Sequence, residues 1–159
     1  MRKRYVTFSL AGGRYCIPVD QVLQILRLED LIEIPKPPPF VEGVINLRGD
    51  IIPVVSLRAR LEVSSGERGA RGVPEQRKRR VVIIRVDGKP YGLDVDEVRE
   101  IIEINEEGIT TDATTMFGVR ADFLLGIARR DEAVYLVLDL PRVLGTSREL
   151  PGSLVGQSQ

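Results

Sequence analysis

The chain repeats itself. Shifted by 76 positions, residues 5–26 lie on residues 81–102 without a gap, and seven of the 22 pairs are identical: Val6/Val82, Gly12/Gly88, Tyr15/Tyr91, Val19/Val95, Asp20/Asp96, Val22/Val98 and Ile25/Ile101. Unrelated segments of this length share roughly one or two residues, given ordinary residue frequencies. A second block, 40–61, lies on 123–144 at an offset of 83, where Phe40/Phe123, Gly43/Gly126, Val54/Val137, Leu57/Leu140 and Leu61/Leu144 agree. The larger offset places seven extra residues between the two blocks of the second copy. Two similar halves follow, and the residues they share report what each half needs.

Each half reads as short strands. Val6, Phe8 and Leu10 alternate with Tyr5, Thr7 and Ser9, the period-two pattern of a half-buried strand. Gly12-Gly13 turns the chain into Tyr15-Cys16-Ile17, and the second copy repeats this as 82–86, a turn at Asp87-Gly88, and 91–93. Asp20 and Asp96 are each placed to cap one short helical turn. Runs ending at Ile34 and Ile104 form third strands. Residues 40–47 and 51–55 form a further hairpin with Arg48-Gly49-Asp50 at its tip, and 57–61 is one helical turn with apolar residues four apart. The mirror segments are 123–129, 133–138 and 140–144. Five short strands per half, punctuated by turn signals, predict a mostly β protein of two small five-stranded barrels. Each barrel is too small to be comfortable alone, so the two share an apolar seam. The expected organisation is one domain over 1–145, built of two intertwined halves, about 1–61 and 80–145. A polar, basic linker 62–80 joins them, and 146–159 is a flexible tail.

Composition removes most chemistry. There is no histidine among the 159 residues, which excludes Ser-His-Asp and Cys-His nucleophiles, His-based zinc sites and the usual proton shuttle at neutral pH. One cysteine permits no intrachain disulfide, and Cys16, between Tyr15 and Ile17, reads as a packing residue. No cofactor, metal site or catalytic group is expected, and the chain is not an enzyme. Nothing approaches 18 consecutive apolar residues, and the basic start Met1-Arg2-Lys3-Arg4 lacks the apolar core of a signal peptide, so no direct membrane insertion is expected. The net charge is zero but uneven: residues 1–80 carry +6 and residues 81–159 carry −6. That polarity favours head-to-tail contacts between complementary faces, or simply reflects a solvated basic loop beside an acidic half.

The segment Pro35-Lys36-Pro37-Pro38-Pro39-Phe40-Val41-Glu42-Gly43-Val44-Ile45-Asn46-Leu47-Arg48-Gly49-Asp50-Ile51-Ile52-Pro53-Val54-Val55-Ser56-Leu57-Arg58 resembles the signature of the CheW family of chemotaxis coupling proteins. Tyr15-Cys16-Ile17-Pro18-Val19, Val22-Leu23-Gln24-Ile25, Gly92-Leu93-Asp94-Val95-Asp96-Glu97-Val98 and 136–140 extend the resemblance over about residues 4–145. It implies a CheW-like fold of two SH3-like β-barrels acting as a non-enzymatic adaptor. The implied partners are the cytoplasmic tips of methyl-accepting chemotaxis receptors, held in a groove between the barrels, and the regulatory domain of a CheA-type histidine kinase. The implied location is cytoplasmic, at membrane receptor clusters. Two departures stand out: Gln24 occupies a position where the family often has Glu, and the linker 62–80 is basic where many relatives are acidic. The sequence shows neither a receiver domain nor kinase motifs.

The residues the resemblance assigns to a receptor-binding groove are Val22, Gln24, Ile25, Gly43, Asn46, Arg48, Gly49 and Val98. Arg48 projects from a hairpin tip, where a planar five-donor guanidinium suits a carboxylate or backbone contact on a receptor helix; a tie across the two barrels is the alternative. Asn46 and Gly49 shape that turn. Gly43 and Gly126 mark bulges or close backbone approach, and Gly43 also leaves room for a receptor helix. Val22, Ile25 and Val98 are core residues unless they line a groove that takes a helix. A second function class is a small-barrel nucleic-acid-binding protein using the basic linker 68–80, though few aromatics accompany it and no nucleic acid is expected as partner.

Overall fold

The computed structural model describes residues 1–63, 76–111 and 121–145. The tail 146–159 and most of the linker 62–80 lie outside them. Among the described residues the chain forms ten strands and two short helices. The first copy supplies β1 (Arg2–Leu10), β2 (Gly13–Pro18), β3 (Val22–Arg27), β4 (Val41–Leu47), β5 (Asp50–Ser56) and α1 (Leu57–Leu61). The second supplies β6 (Arg80–Val86), β7 (Lys89–Val95), β8 (Glu97–Asn105), β9 (Leu124–Arg130), β10 (Ala133–Leu138) and α2 (Leu140–Leu144).

These strands do not sort by copy. One five-stranded sheet runs β8-β1-β2-β10-β9 and the other β3-β6-β7-β5-β4. Each copy gives its first hairpin to one sheet and its later strands to the other. The chain changes sheets at equivalent points, through the 3-10 turn Val19–Gln21 after β2 and at Asp96 after β7. The copies meet in four pairings, two parallel, β2 with β10 and β5 with β7, and two antiparallel, β1 with β8 and β3 with β6.

Neither ladder closes into a full barrel. In each sheet the two edges are joined by one pair of residues, Ile32 with Val44 and Thr110 with Ile127, each through two backbone hydrogen bonds of 2.7–2.9 Å. Gly43 and Gly126 stand beside these bridges. A methyl at Gly43 would fall on the Ile32 carbonyl oxygen, and within 3.1 Å of the Ile32 carbonyl carbon and Leu31 Cδ1. One at Gly126 would meet the Thr110 oxygen at 2.9 Å. The duplicated glycine is therefore where the sheet is drawn round on itself, and β4 is bulged between Val41 and Gly43.

Apolar residues form three clusters. Tyr5, Cys16, Ile102, Ile104, Ala128, Tyr135 and Val137 fill the first barrel. Ile45, Ile52, Val54, Val81 and Ile83 fill the second. A larger cluster draws on both sheets and both helices, from Phe8, Leu10 and Ile17 to Val82, Ile84, Leu93, Leu57, Leu61, Leu140 and Leu144. The expected seam is thus the main core. It explains why β6 reads Val81-Val82-Ile83-Ile84 with no alternation: both of its faces are fully buried.

Polar ties cross the seam as well. Asp96 does not cap a helix, contrary to expectation, because β8 begins at the next residue. Its carboxylate takes the Ala11 N–H at 2.8 Å and Arg58 at 2.6 and 3.2 Å, which pins the crossover to the β1–β2 turn and to α1. Asp20 makes no cap either, since Pro18 holds the N-cap position of its turn without a side-chain bond. Asp96→Ala is expected to destabilise the fold by about 2 kcal/mol, because it removes two charge-assisted hydrogen bonds from a half-buried guanidinium and leaves the Ala11 amide without its acceptor. Urea unfolding of the single and double variants with Arg58→Ala should give losses that fall well short of additive; strictly additive losses would contradict the tie.

Candidate functional site

The β4–β5 hairpin turns in two residues, Leu47 pairing with Asp50. In the type I′ form, one of two that match the twist of the strands, both central residues take positive φ. Arg48 does so at 56° and Gly49 at 92°. Asn46 secures the conformation, its Oδ1 accepting the Gly49 N–H at 3.0 Å. The result presents Arg48 to solvent, and its guanidinium makes no hydrogen bond or ion pair among the described residues. The ties across the seam belong instead to Arg58 and Arg60. In the second copy the turn shares only its first left-handed residue, Asp131 at φ 56°, and the residues become Arg129, Asp131 and Glu132 in place of Asn46, Arg48 and Gly49. A cation at the first turn position is peculiar to the first copy, and so is the second left-handed residue.

Val22, Gln24 and Ile25 lie on an edge strand, β3, which begins directly after the 3-10 turn Val19–Gln21. Val22 is half-buried against the inter-sheet core, and so is its duplicate Val98 at the start of β8. Gln24 is half-buried opposite Ile83. Ile25 is 40% exposed, and Leu23 beside it 47%. The register sets where these residues stand relative to Arg48. Val22 pairs with Ile84 near the Asp87-Gly88 turn, and the parallel match of Val54 to Gly92 brings Arg48-Gly49 to the level of that same turn. Val22 and the Arg48 turn thus share one end of the second sheet, with Ile25 two rungs further along. Gly43 is buried inside the same sheet, where the approach of Ile32 accounts for it without a partner. Val98 belongs to the other sheet and approaches this group only across the seam.

Besides Ile25, the exposed apolar residues of the described strands and bridges include Leu23, Ile32, Ile101 and Leu125, and two of them relate directly to Ile25. Leu23 shares the outward side of β3 with Ile25, and two-residue alternation identifies it once the segment is read as a strand. Ile101, 54% exposed on β8, is the duplicate of Ile25, so the repeat itself points to it.

The remaining chemistry is quiet. Burial pushes the Cys16 thiol up to about 12, which leaves it a neutral packing group. Among the described residues no cluster of His, Cys, Asp or Glu is arranged to hold a metal ion, and no helix is long and apolar enough to cross a membrane. In the basic run, Arg79 is bound to Asp94 and Glu42, and Arg80 donates to the carbonyls of Arg77 and Arg79. These two guanidinium groups serve the fold, which weakens the case for a phosphate-binding strip; residues 68–75 of that strip lie outside the described residues.

Comparison with known proteins agrees with this architecture. The family model for the CheW-like domain matches residues 4–148. The "Chemotaxis protein CheW" of Treponema pallidum is 29% identical over 150 residues, covering 91% of this chain and 83% of that protein. That of Thermotoga maritima is 29% identical over 140 residues, 87% of this chain and 85% of that one. The crystal structure of the scaffolding protein TtCheW from Thermoanaerobacter tengcongensis superposes with a TM-score of 0.79 at 31% identity, covering 92% of this chain and 90% of that one. With the duplicated double-sheet fold and a family match along nearly its whole length, the chain belongs to the CheW family.

Proposed function

We propose that this protein is a non-catalytic adaptor that couples methyl-accepting chemotaxis receptors to a CheA-type histidine kinase, working in the cytoplasm at receptor clusters. The observation that carries the proposal is the Arg48 turn. The fold invests Asn46 and Gly49 in its geometry, yet uses the guanidinium for nothing internal, and the duplicate turn does not repeat it. An exposed, preshaped cation beside half-exposed apolar residues on one sheet end suits a helical partner carrying a carboxylate and an apolar stripe. The names of the relatives support the same role: chemotaxis proteins and, for the solved structure, a scaffolding protein. Val22, Gln24 and Ile25 are assigned to the receptor contact with Arg48, and Val98 borders it across the seam.

The test is direct titration of a receptor signalling-tip fragment against wild type and Arg48→Glu. The variant is expected to bind at least about tenfold more weakly, the scale of one lost charge-assisted contact turned repulsive. Its urea midpoint should stay unchanged, because Arg48 supports nothing in the fold. Unchanged receptor affinity would remove Arg48 from the site.

A further inference from the structure

A second ionic group sits inside the barrel that carries Arg48, and it is out of balance. Asp94 on β7 is 5% exposed. Arg79, just ahead of β6, donates to its Oδ2. The same guanidinium lies 3.9 Å from Glu42 on β4. Asp94 Oδ1 and Arg79 Nε are buried without a hydrogen-bond partner. Ser56, at the end of β5, stands beside Glu42. The remaining side of the group is a cleft of about 490 Å³ between Glu42, Arg79 and the chain after β3. Its other lining residues are Leu28, Glu29, Leu31, Glu33, Pro37 and Val41, which add two more acids and no cation.

Two carboxylates therefore face one guanidinium, and water reaches them only in part. Two like charges this close are not both ionised readily, and a proton held on one of them resolves both problems at once. It removes the excess negative charge, and it supplies a donor where Asp94 has an acceptor with none. We propose that Glu42 and Asp94 hold a single proton between them beneath Arg79, and that this proton latches β4 and the crossover before it onto β6 and β7. Its release in mildly alkaline solution opens the cleft and loosens the β4 side of the barrel. Consistent with this, the Glu42 carboxyl is pushed up to about 8 by burial first, then by the hydrogen bond and charge of Asp94, against the lowering by Arg79 and Ser56.

The sign follows from proton linkage. The folded state keeps its proton to a higher pH than the unfolded chain, whose glutamate titrates at the ordinary 4.5. The latch contributes fully below about 4.5, weakens as pH rises, and is lost above about 8. The chain has no histidine and Cys16 is held near 12. No other side-chain type ordinarily titrates between pH 6 and 9, and the exposed terminal amine is common to all variants.

The experiment is a carbon-detected carboxyl titration of the full chain, wild type and Asp94→Asn, with urea midpoints of wild type and Glu42→Gln at pH 6 and pH 9. A carboxyl assigned to Glu42 is expected to titrate near 8 in wild type and well below that once Asp94 loses its charge. The wild-type urea midpoint should fall from pH 6 to pH 9. That of Glu42→Gln, whose amide keeps the donor to Asp94, should not. A Glu42 carboxyl titrating in the ordinary range, or an equal fall in both proteins, would overturn the latch. Should Asp94→Asn fail to fold, the wild-type titration and the Glu42→Gln comparison decide alone.

Discussion

Arg60→Ala is expected to destabilise the protein by about 3 to 4 kcal/mol, although nothing in its sequence context marks Arg60 as structural. Its guanidinium lies between two aromatic rings, 5.0 Å from the centroid of Phe40 and 4.9 Å from that of Phe123. Its Nε donates to the Val143 carbonyl at 2.6 Å, and Nη2 to that of Arg142 at 3.3 Å. The two phenylalanines are duplicates of one another, and Val143 is the position equivalent to Arg60 itself. One side chain from the first copy therefore occupies the centre of the pseudo-symmetric junction, stacking on both copies and satisfying carbonyls at the end of α2. Truncation forfeits two desolvated cation–π contacts of roughly 1 kcal/mol each and strands the buried Val143 carbonyl, about 1 to 2 kcal/mol more. Arg60→Lys should fall between, about 2 kcal/mol, because one ammonium cannot fill a planar stack and a two-donor fork together. Equilibrium urea unfolding measures both. A loss below about 1 kcal/mol for Arg60→Ala would mean that the junction is held by its apolar residues alone.

Gly43→Ala should destabilise the fold by about 3 kcal/mol, near the top of the usual range for overpacking, because the added methyl meets backbone rather than a side chain that can turn aside. The obstacle is the carbonyl of Ile32, a residue whose two backbone hydrogen bonds with Val44, one donated and one accepted, join β3's continuation to β4. Gly126→Ala faces the equivalent obstacle at Thr110 and should behave alike. The pair separates two roles for Gly43. If its purpose were only to admit a receptor helix, Gly43→Ala would fold normally and bind poorly, while Gly126→Ala would be silent in both respects. Similar losses of unfolding free energy in the two variants are the expected result.

The parts of this molecule that were legible from sequence are those with local causes. Residues 133–138, 57–61 and 140–144 form β10, α1 and α2 at the anticipated bounds. The two helices follow Ser56 and Asp139, which cap them through Ala59 and Arg142. Gly43 and Gly126 were identified as points of close approach because the repeat demanded glycine twice. Errors arose where the cause is distant. The strand expected to reach Ile34 ends at Arg27 and leaves one bridge at Ile32; the prolines that follow have no N–H to extend a ladder. Beyond the hairpins, which strands pair could not be read, since β2 meets β10 across some 120 residues of chain and parallel pairing leaves no turn motif to announce it. Arg60 and the Glu42–Arg79–Asp94 group were invisible for a related reason: a charged residue in a strand-rich sequence reads as solvated unless its burial is known. At the candidate site the exposure of Arg48 and the roles of Asn46 and Gly49 were local and legible. The separation of Val98 from the rest was not.

The adaptor function is tested most directly by co-sedimentation of the purified protein with receptor signalling tips assembled on vesicles and a CheA-type kinase from the same organism. Kinase is expected in the receptor pellet only when this protein is present, and Arg48→Glu is expected to leave most of it in the supernatant. Kinase that pellets equally without the protein, or a protein that binds neither partner, would contradict the coupling role while leaving the fold intact.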